Sequence, residues 1–175
     1  MVAMRVVAGE LRGRRIEAPP GEATRPTTDK VREATFNALG SLDLLADARV
    51  ADLYTGSGAL GIEALSRGAH HCTFVERDRA ALTVLRANLA ALGLEGRSTV
   101  VHGDAAVRAG QLDVDLVLAD PPYDTPASTW SELLEGLDAP FVVAEAATEI
   151  APPPGWEVTR SKRYGRTWVT FLERI

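Results

Sequence analysis

The sequence predicts an α/β protein built on a mainly parallel sheet with helices on both faces. Three observations carry this expectation. From residue 49 onward, short apolar runs alternate with stretches of helical period, and strands that alternate with helices form parallel sheets covered on both sides. The first apolar run passes straight into Gly56-Ser57-Gly58-Ala59-Leu60-Gly61, a G-x-G-x-x-G turn between a strand and a helix. Acidic residues end successive runs at Glu76, Asp104 and Asp120, along the rim where open α/β sheets bind their ligands. At 175 residues the chain is one domain's worth of protein, a size that buries roughly 70% of the surface exposed by the unfolded form.

The elements follow in chain order. Between Met4 and Pro19, short alternating stretches broken by Gly9 and Gly13 predict a small hairpin, and Pro19, Pro20 and Gly21 a loop. In RPTTDKVREATFNALG a prolyl turn and Thr28 or Asp29 start a helix. Val31, Ala34, Ala38, Leu39 and Leu42 recur there with helical period, and Gly40 lies near its end. RVADLYT reads as a buried strand, 59–67 as a helix closed by Gly68, and HCTFVE as a second strand. Residues 78–92 place Leu82, Leu85, Leu89 and Leu92 on one helical face, with Gly93 as the stop. TVVHGD and VDLVLAD are the third and fourth strands. Thr129 and Glu132 fit a capping box before Leu133, Leu134 and Leu137, and PFVVAEA is a fifth strand. APPPG suits neither helix nor central strand. WEVTRSKRY and RTWVTFLE, joined at Gly165, then read as an antiparallel hairpin on the sheet edge.

Composition narrows the function classes. With 46% hydrophobic and 25% charged residues, collagen-like, disordered and coiled-coil architectures are excluded. A single cysteine, Cys72, excludes a disulfide framework and a Cys-based zinc site, while His70, His71 and His102 lack ligand spacing; no metal is expected. No apolar run approaches the roughly 20 residues that cross a bilayer, and the N-terminus lacks a secretory h-region, so the expected compartment is the cytoplasm. The net charge of −5 is unevenly distributed, with +3 in residues 1–32, −11 in 33–150 and +3 in 151–175. Arginine supplies 17 of the 19 basic residues, and its planar fork can grip phosphate or stack on a base.

The glycine turn brings backbone close to a ligand, because glycine allows a sharp turn and carries no Cβ. Glu76 lies 20 residues after Gly56, where an acidic side chain accepts hydrogen bonds from a ribose diol. Asp104 stands where a side chain can reach an adenine edge. A nicotinamide dinucleotide and S-adenosylmethionine both present an adenosine to this rim, and the turn by itself does not separate them. Asp120-Pro121-Pro122-Tyr123 is more specific. Two prolines stop the strand and stiffen the loop, which holds the Asp120 carboxylate and a neighbouring carbonyl in place. Such acceptors suit a planar amino group, a poor nucleophile because its lone pair is delocalised. Accepting both its hydrogens favours pyramidalisation and exposes the lone pair to a methyl sulfonium, while Tyr123 can stack on the ring. No cysteine stands at this loop, and a cytosine C5 methylase would need one; Cys72 reads as a small buried apolar residue.

These residues resemble the class I S-adenosylmethionine-dependent methyltransferases with a [DNS]PP[YF] amino-methylating loop, and more narrowly the RsmD family of bacterial 16S rRNA guanine-N2 methyltransferases. The resemblance runs through RVVAGELRGRRI, RPTTDKVREATFN, DLYTGSGALGIEALSRGA, VERD and LADPPYD. It implies a Rossmann-like fold: a seven-stranded, mostly parallel sheet with an antiparallel last strand and a small N-terminal hairpin arm. The arm would be residues 1–24 and the methyltransferase domain 25–175. It further implies that Asp52, Thr55, Gly56, Ser57, Gly58 and Gly61 line the methionine and ribose end of the cofactor. Glu76, with Arg77 beside it, would hold the ribose hydroxyls, Asp104 and Ala105 would meet the adenine, and Asp120 would adjoin the methyl group. Arg25, Thr27, Thr28 and Arg32 are implied near the target base. Tyr54 stands where the family frequently has Phe, and the connection 149–155 is too compact for a long helix.

The basic ends complete the reading. Arg5, Arg12, Arg14 and Arg15 in the arm, and Arg160, Lys162, Arg163 and Arg166 near the C-terminus, are candidates to grip RNA phosphates. The implied partner is 16S rRNA, within the 30S subunit or a late assembly intermediate, met by a monomer. Rival readings are methylation of adenine N6 in DNA or of a protein glutamine, an NAD-dependent oxidoreductase, and a non-catalytic RNA-binding module. The oxidoreductase lacks a catalytic His or Tyr-Lys pair and a substrate domain.

Overall fold

The computed structural model describes residues 4–21 and 26–175, the side chains of Pro26 and Thr27 excepted. Its main sheet has seven strands: β3 (Arg49–Leu53), β4 (His71–Glu76), β5 (Ser98–His102), β6 (Leu116–Ala119), β7 (Phe141–Ala146), β8 (Trp156–Tyr164) and β9 (Thr167–Arg174). Their order is β5-β4-β3-β6-β7-β9-β8. The first five in that order are parallel, whereas β9 runs antiparallel between β7 and β8. The expected hairpin therefore lies at one side of the sheet, but its second strand is interior. The cause is polarity: Val169, Thr170, Phe171 and Leu172 of β9 are buried, while β8 carries Glu157, Arg160, Lys162 and Arg163, charges suited to an open edge.

Period-two alternation divides the core into two layers. Phe74, Leu118, Val143 and Phe171 point to one face, where they meet α1 (Pro26–Ser41), α2 (Ala59–Ser66) and α3 (Arg79–Ala91). Their neighbours Val75, Val117, Val142 and Leu172 point to the other, against α4 (Ala105–Ala109) and α5 (Ala127–Gly136). Among the described residues no helix is long and apolar enough to cross a membrane.

The N-terminal segment is more tightly bound than an appended arm. Its ladder is short, β1 (Met4–Arg5) against β2 (Arg15–Ile16), yet Met4, Val6 and Ile16 belong to the first core layer. Glu63 of α2, fully buried, accepts hydrogen bonds from the backbone N–H of Val7 (2.8 Å) and Ala8 (3.1 Å). Asn88 of α3 accepts from Glu17 N–H and donates to the carbonyls of Glu17 and Ser57. One amide thus joins the hairpin to the glycine turn.

Three local expectations differ from the structure. Leu42 is 54% exposed; α1 stops at Ser41, and the chain reverses through Asp43 at φ 57°, so Leu45 rather than Leu42 reaches the core. The helix α1 starts at Pro26, ahead of Thr28 and Asp29, because proline is well suited to a first helical position. Pro126 precedes α5, and Thr129 lies inside its first turn with its N–H donating to the Pro126 carbonyl; the capping box is absent because the prolyl turn begins the helix earlier. The short helix α4 has no counterpart among the elements the sequence predicts, since five residues carry too little periodicity.

Candidate functional site

The glycine turn is built from the inside by Asp52. This carboxylate, 1% exposed, accepts Thr55 Oγ1–H at 2.6 Å and Gly61 N–H at 2.9 Å. It pins both ends of the turn that leads from β3 into α2. Burial, reinforced by the charges of Asp120 and Glu76 and opposed by those two hydrogen bonds, pushes its carboxyl up to about 7. The backbone between is left-handed at Tyr54 (φ 58°), Gly56 (φ 55°) and Gly58 (φ 89°). Two glycines also serve packing: a Cβ at Gly58 would lie 2.5 Å from Leu85, and one at Gly61 2.3 Å from Phe74. Ser57 is buried, and its carbonyl is held by Asn88. Asp52, Thr55, Gly58 and Gly61 thus shape the turn, and Gly56 presents its edge.

Glu76, at the end of β4, accepts three backbone N–H groups: Gly56 (2.9 Å), Arg77 (2.9 Å) and Asp78 (3.0 Å). A carboxylate offers about four acceptor positions, so capacity remains for a ligand hydroxyl. Arg77 is exposed, and its carbonyl accepts from His102. Asp104, exposed after β5, caps α4 by accepting Ala106 and Val107 N–H on one oxygen, and Ala105 is buried. Burial, then the Asp104 charge, raises the Tyr54 phenol, opposed by the charge of Arg77. Cys72 is buried, and burial pushes its thiol well up, in keeping with a packing role.

The Asp120-Pro121-Pro122-Tyr123 corner follows β6. Asp120 is exposed, Pro121 buried beneath it. The Pro122 carbonyl accepts both Thr125 N–H (3.0 Å) and Thr125 Oγ1–H (2.6 Å), so the loop is braced by hydrogen bonds as well as by its proline rings. The Tyr123 ring is 60% exposed, with its hydroxyl 2.5 Å from Thr167 Oγ1 at the start of β9. A cavity of about 370 Å³ opens here, walled by Pro121, Pro122, Tyr123, Trp130 and Glu145 among others. Glu145, near the end of β7, escaped the sequence reading although the signal was present: each preceding strand ends in or near a carboxylate, and PFVVAEA does too. Among the described residues no cluster of His, Cys, Asp and Glu could hold a metal ion.

The candidate RNA contacts divide by burial. Arg32 is 2% exposed; its guanidinium donates to the Arg5 carbonyl and pairs with Asp29 and Glu63. Buried under the N-terminal hairpin, it ties α1 to β1 and α2. Thr28 is exposed on the first turn of α1, the Thr27 side chain is not described, and Arg25 lies outside the described residues. Arg5 donates to the Gly13 carbonyl, Arg14 to that of Ala91 at the end of α3, and Arg15 pairs with Glu17; all three remain exposed, as does Arg12. Arg163 donates to the Gly165 carbonyl, with Arg166 exposed beside it. Arg160 and Lys162 lie over the rings of Phe171 and Tyr164. The bond from Tyr123 to Thr167 sets this second basic cluster next to the Asp120 corner.

Comparison with known proteins agrees with this architecture. YlbH of Bacillus subtilis is 37% identical over 186 residues, covering 98% of this chain and 99% of that protein. Ribosomal RNA small subunit methyltransferase D of Escherichia coli is 42% identical over 122 residues, or 69% of this chain and 60% of the relative. The solved structure of yhhF from Escherichia coli superposes with a TM-score of 0.85 at 36% identity, covering 99% of this chain and 98% of that one. The family model described as "Conserved hypothetical protein 95" matches residues 4–173. With that model matched almost from end to end, the chain belongs to the RsmD family of methyltransferases.

Proposed function

We propose that this protein methylates rRNA from S-adenosylmethionine, and that its target is the exocyclic N2 amino group of a guanine in 16S rRNA. The single observation that carries the reading is the juxtaposition of two neighbouring strand ends. The glycine turn, pinned by Asp52 after β3, adjoins the proline-braced Asp120 after β6, and β3 and β6 are paired in register from Val50–Leu116 to Leu53–Ala119. The rim suits the cofactor chemically. Glu76 has an acceptor to spare and would hold a ribose hydroxyl, the exposed Asp104 after β5 would meet an adenine edge, and Asp120 would adjoin the methyl group on the positive sulfur. When bound, S-adenosylmethionine supplies an electrophilic methyl group on that sulfur.

The chain's own residues then prepare the nucleophile. Asp120 accepts one amino hydrogen. Of the two prolyl carbonyls, that of Pro122 is already taken by Thr125, which assigns the second hydrogen to Pro121. Drawing both hydrogens to one side would make the nitrogen pyramidal and expose its lone pair to the methyl group that the bound cofactor would supply. The surplus proton leaves the nitrogen along the hydrogen bond to Asp120 and passes to water. Tyr123, steadied by Thr167, provides a flat wall for the base. Nucleoside mass spectrometry of rRNA tests the assignment: cells lacking the protein should lose one N2-methylguanosine from 16S rRNA. Persistence of every such nucleoside would overturn it.

Arg12, Arg163 and Arg166, all exposed, are proposed to hold rRNA phosphates in the 30S subunit or a late assembly intermediate, with the protein acting as a cytoplasmic monomer. Replacing all three with alanine should weaken RNA binding and flatten its dependence on salt, by about one unit of log–log slope per lost phosphate contact. Cofactor affinity should stay unchanged. Titrations at several salt concentrations check this, and an unaltered slope would count against the assignment.

A further inference from the structure

Glu145 is a carboxyl of the amino-methylating corner to which the reading above gives no task. Ala144 of β7 pairs in register with Ala119 of β6, so the residues that follow, Asp120 and Glu145, leave adjacent strands side by side on the same face. Asp52 shares that face, since its register partner on β6 is Leu118, two residues before Asp120. Glu145 also walls the cavity together with Pro121, Pro122 and Tyr123. We propose that Glu145 is the specificity-determining side chain of this corner, pairing with the N1–H/O6 edge of the guanine whose amino group is held by Asp120 and Pro121. The inference rests on the amino-methylation reading and adds to it which edge of the base is recognised.

The chemistry follows from the donor pattern of the base. Beside N2, guanine presents a donor at N1 and then an acceptor at O6. A neutral carboxylic acid carries an acceptor and a donor side by side and complements that edge; an ionised carboxylate has no donor and would face O6 with a negative charge. The charged and titratable groups that act on Glu145 are Asp120 from β6, Asp52 from β3 and Arg32 from α1. Val169, opposite on β9, is apolar, and Tyr123, Asp124 and Glu149 complete the titratable cavity wall. Arg32 favours the ionised form. Burial and the two neighbouring carboxylates oppose it more strongly and push Glu145 up to about 8. The acid therefore holds its proton at pH 7 and loses it as the pH rises through that value.

Methylation of small ribosomal subunits from cells lacking the protein, measured as kcat and KM between pH 6 and 10, tests the role. Glu145→Gln keeps an acceptor and a donor side by side. It should stay within threefold of wild type at pH 7 and lose the fall in kcat/KM that wild type shows above pH 8. Glu145→Ala should drop kcat/KM at least tenfold, mainly through KM, with unchanged affinity for S-adenosylhomocysteine by calorimetry. The proposal is overturned if Glu145→Gln is as impaired as Glu145→Ala, if Glu145→Ala behaves as wild type, or if the alkaline fall persists in Glu145→Gln. Wild type that forms no N2-methylguanosine at any pH would sink the amino-methylation reading itself, and this inference with it. Wild-type methylation combined with any of the three adverse variant results removes the Glu145 role alone.

Discussion

Asp120→Ala should lower the rate of methyl transfer by about 100- to 1000-fold, the usual cost of removing one preorganised partner of a transition-state charge, while S-adenosylhomocysteine still binds. The expectation follows from the bonds that hold the glycine turn. That turn is tied by Asp52 to Thr55 and Gly61, by Glu76 to Gly56 and by Asn88 to Ser57, so truncating a residue on the next strand leaves the cofactor rim in place. Loop geometry also survives, because Thr125 and the two prolines hold it. The loss should therefore fall on kcat more than on either binding constant. Single-turnover methylation with calorimetry on the same preparation checks this. An Asp120→Ala enzyme that keeps a tenth of its activity would show that the carboxylate does not hold the amino hydrogens. Equal loss of methylation and cofactor binding would place Asp120 in the cofactor site alone.

The second large effect is on stability. Glu63→Ala should destabilise the fold by about 3–5 kcal/mol, the typical cost of stranding one partner of a buried ion pair. Glu63 is fully buried and serves four groups: the Arg32 guanidinium at 3.4 Å, Arg67 Nε at 2.9 Å, and the N–H groups of Val7 and Ala8. Its removal leaves Arg32, itself 2% exposed, with Asp29 as its remaining carboxylate. It also strands two backbone donors of the N-terminal segment. Glu63→Gln keeps part of the hydrogen bonding but no charge, and should fall between wild type and alanine. Denaturant unfolding of the three proteins measures the series. A change below 1 kcal/mol in Glu63→Ala would mean that the segment is held by Met4, Val6 and Ile16 rather than by this carboxylate.

The two residues show what the sequence discloses and what it conceals. Asp120 was legible because its neighbours are informative: an apolar run before it and two prolines after it leave few conformations for the chain. Glu63 was not, since an acid within ALGIEALS looks like the solvated face of a short helix until the hairpin closes over it. Arg32 is concealed in the same way: nothing local in RPTTDKVREATFN shows that its side chain is buried under β1, paired with Glu63 and Asp29 and donating to the Arg5 carbonyl.

Periodicity and turn chemistry, which act within a few residues, determined the alternation of strands and helices, the glycine turn after β3 and the fixed Asp120 loop after β6. Leu42 and Thr129 mark the limit of such local signals, since a turn at Asp43 and a proline at 126 moved helix ends by a few residues. The tertiary structure alone decided which carboxyls become neighbours. Asp52, Asp120 and Glu145 are far apart in the chain, and it is the order β3-β6-β7, with its register, that sets them on one face. Strand order depends on long-range burial and hydrogen bonding, quantities that no short stretch of sequence carries.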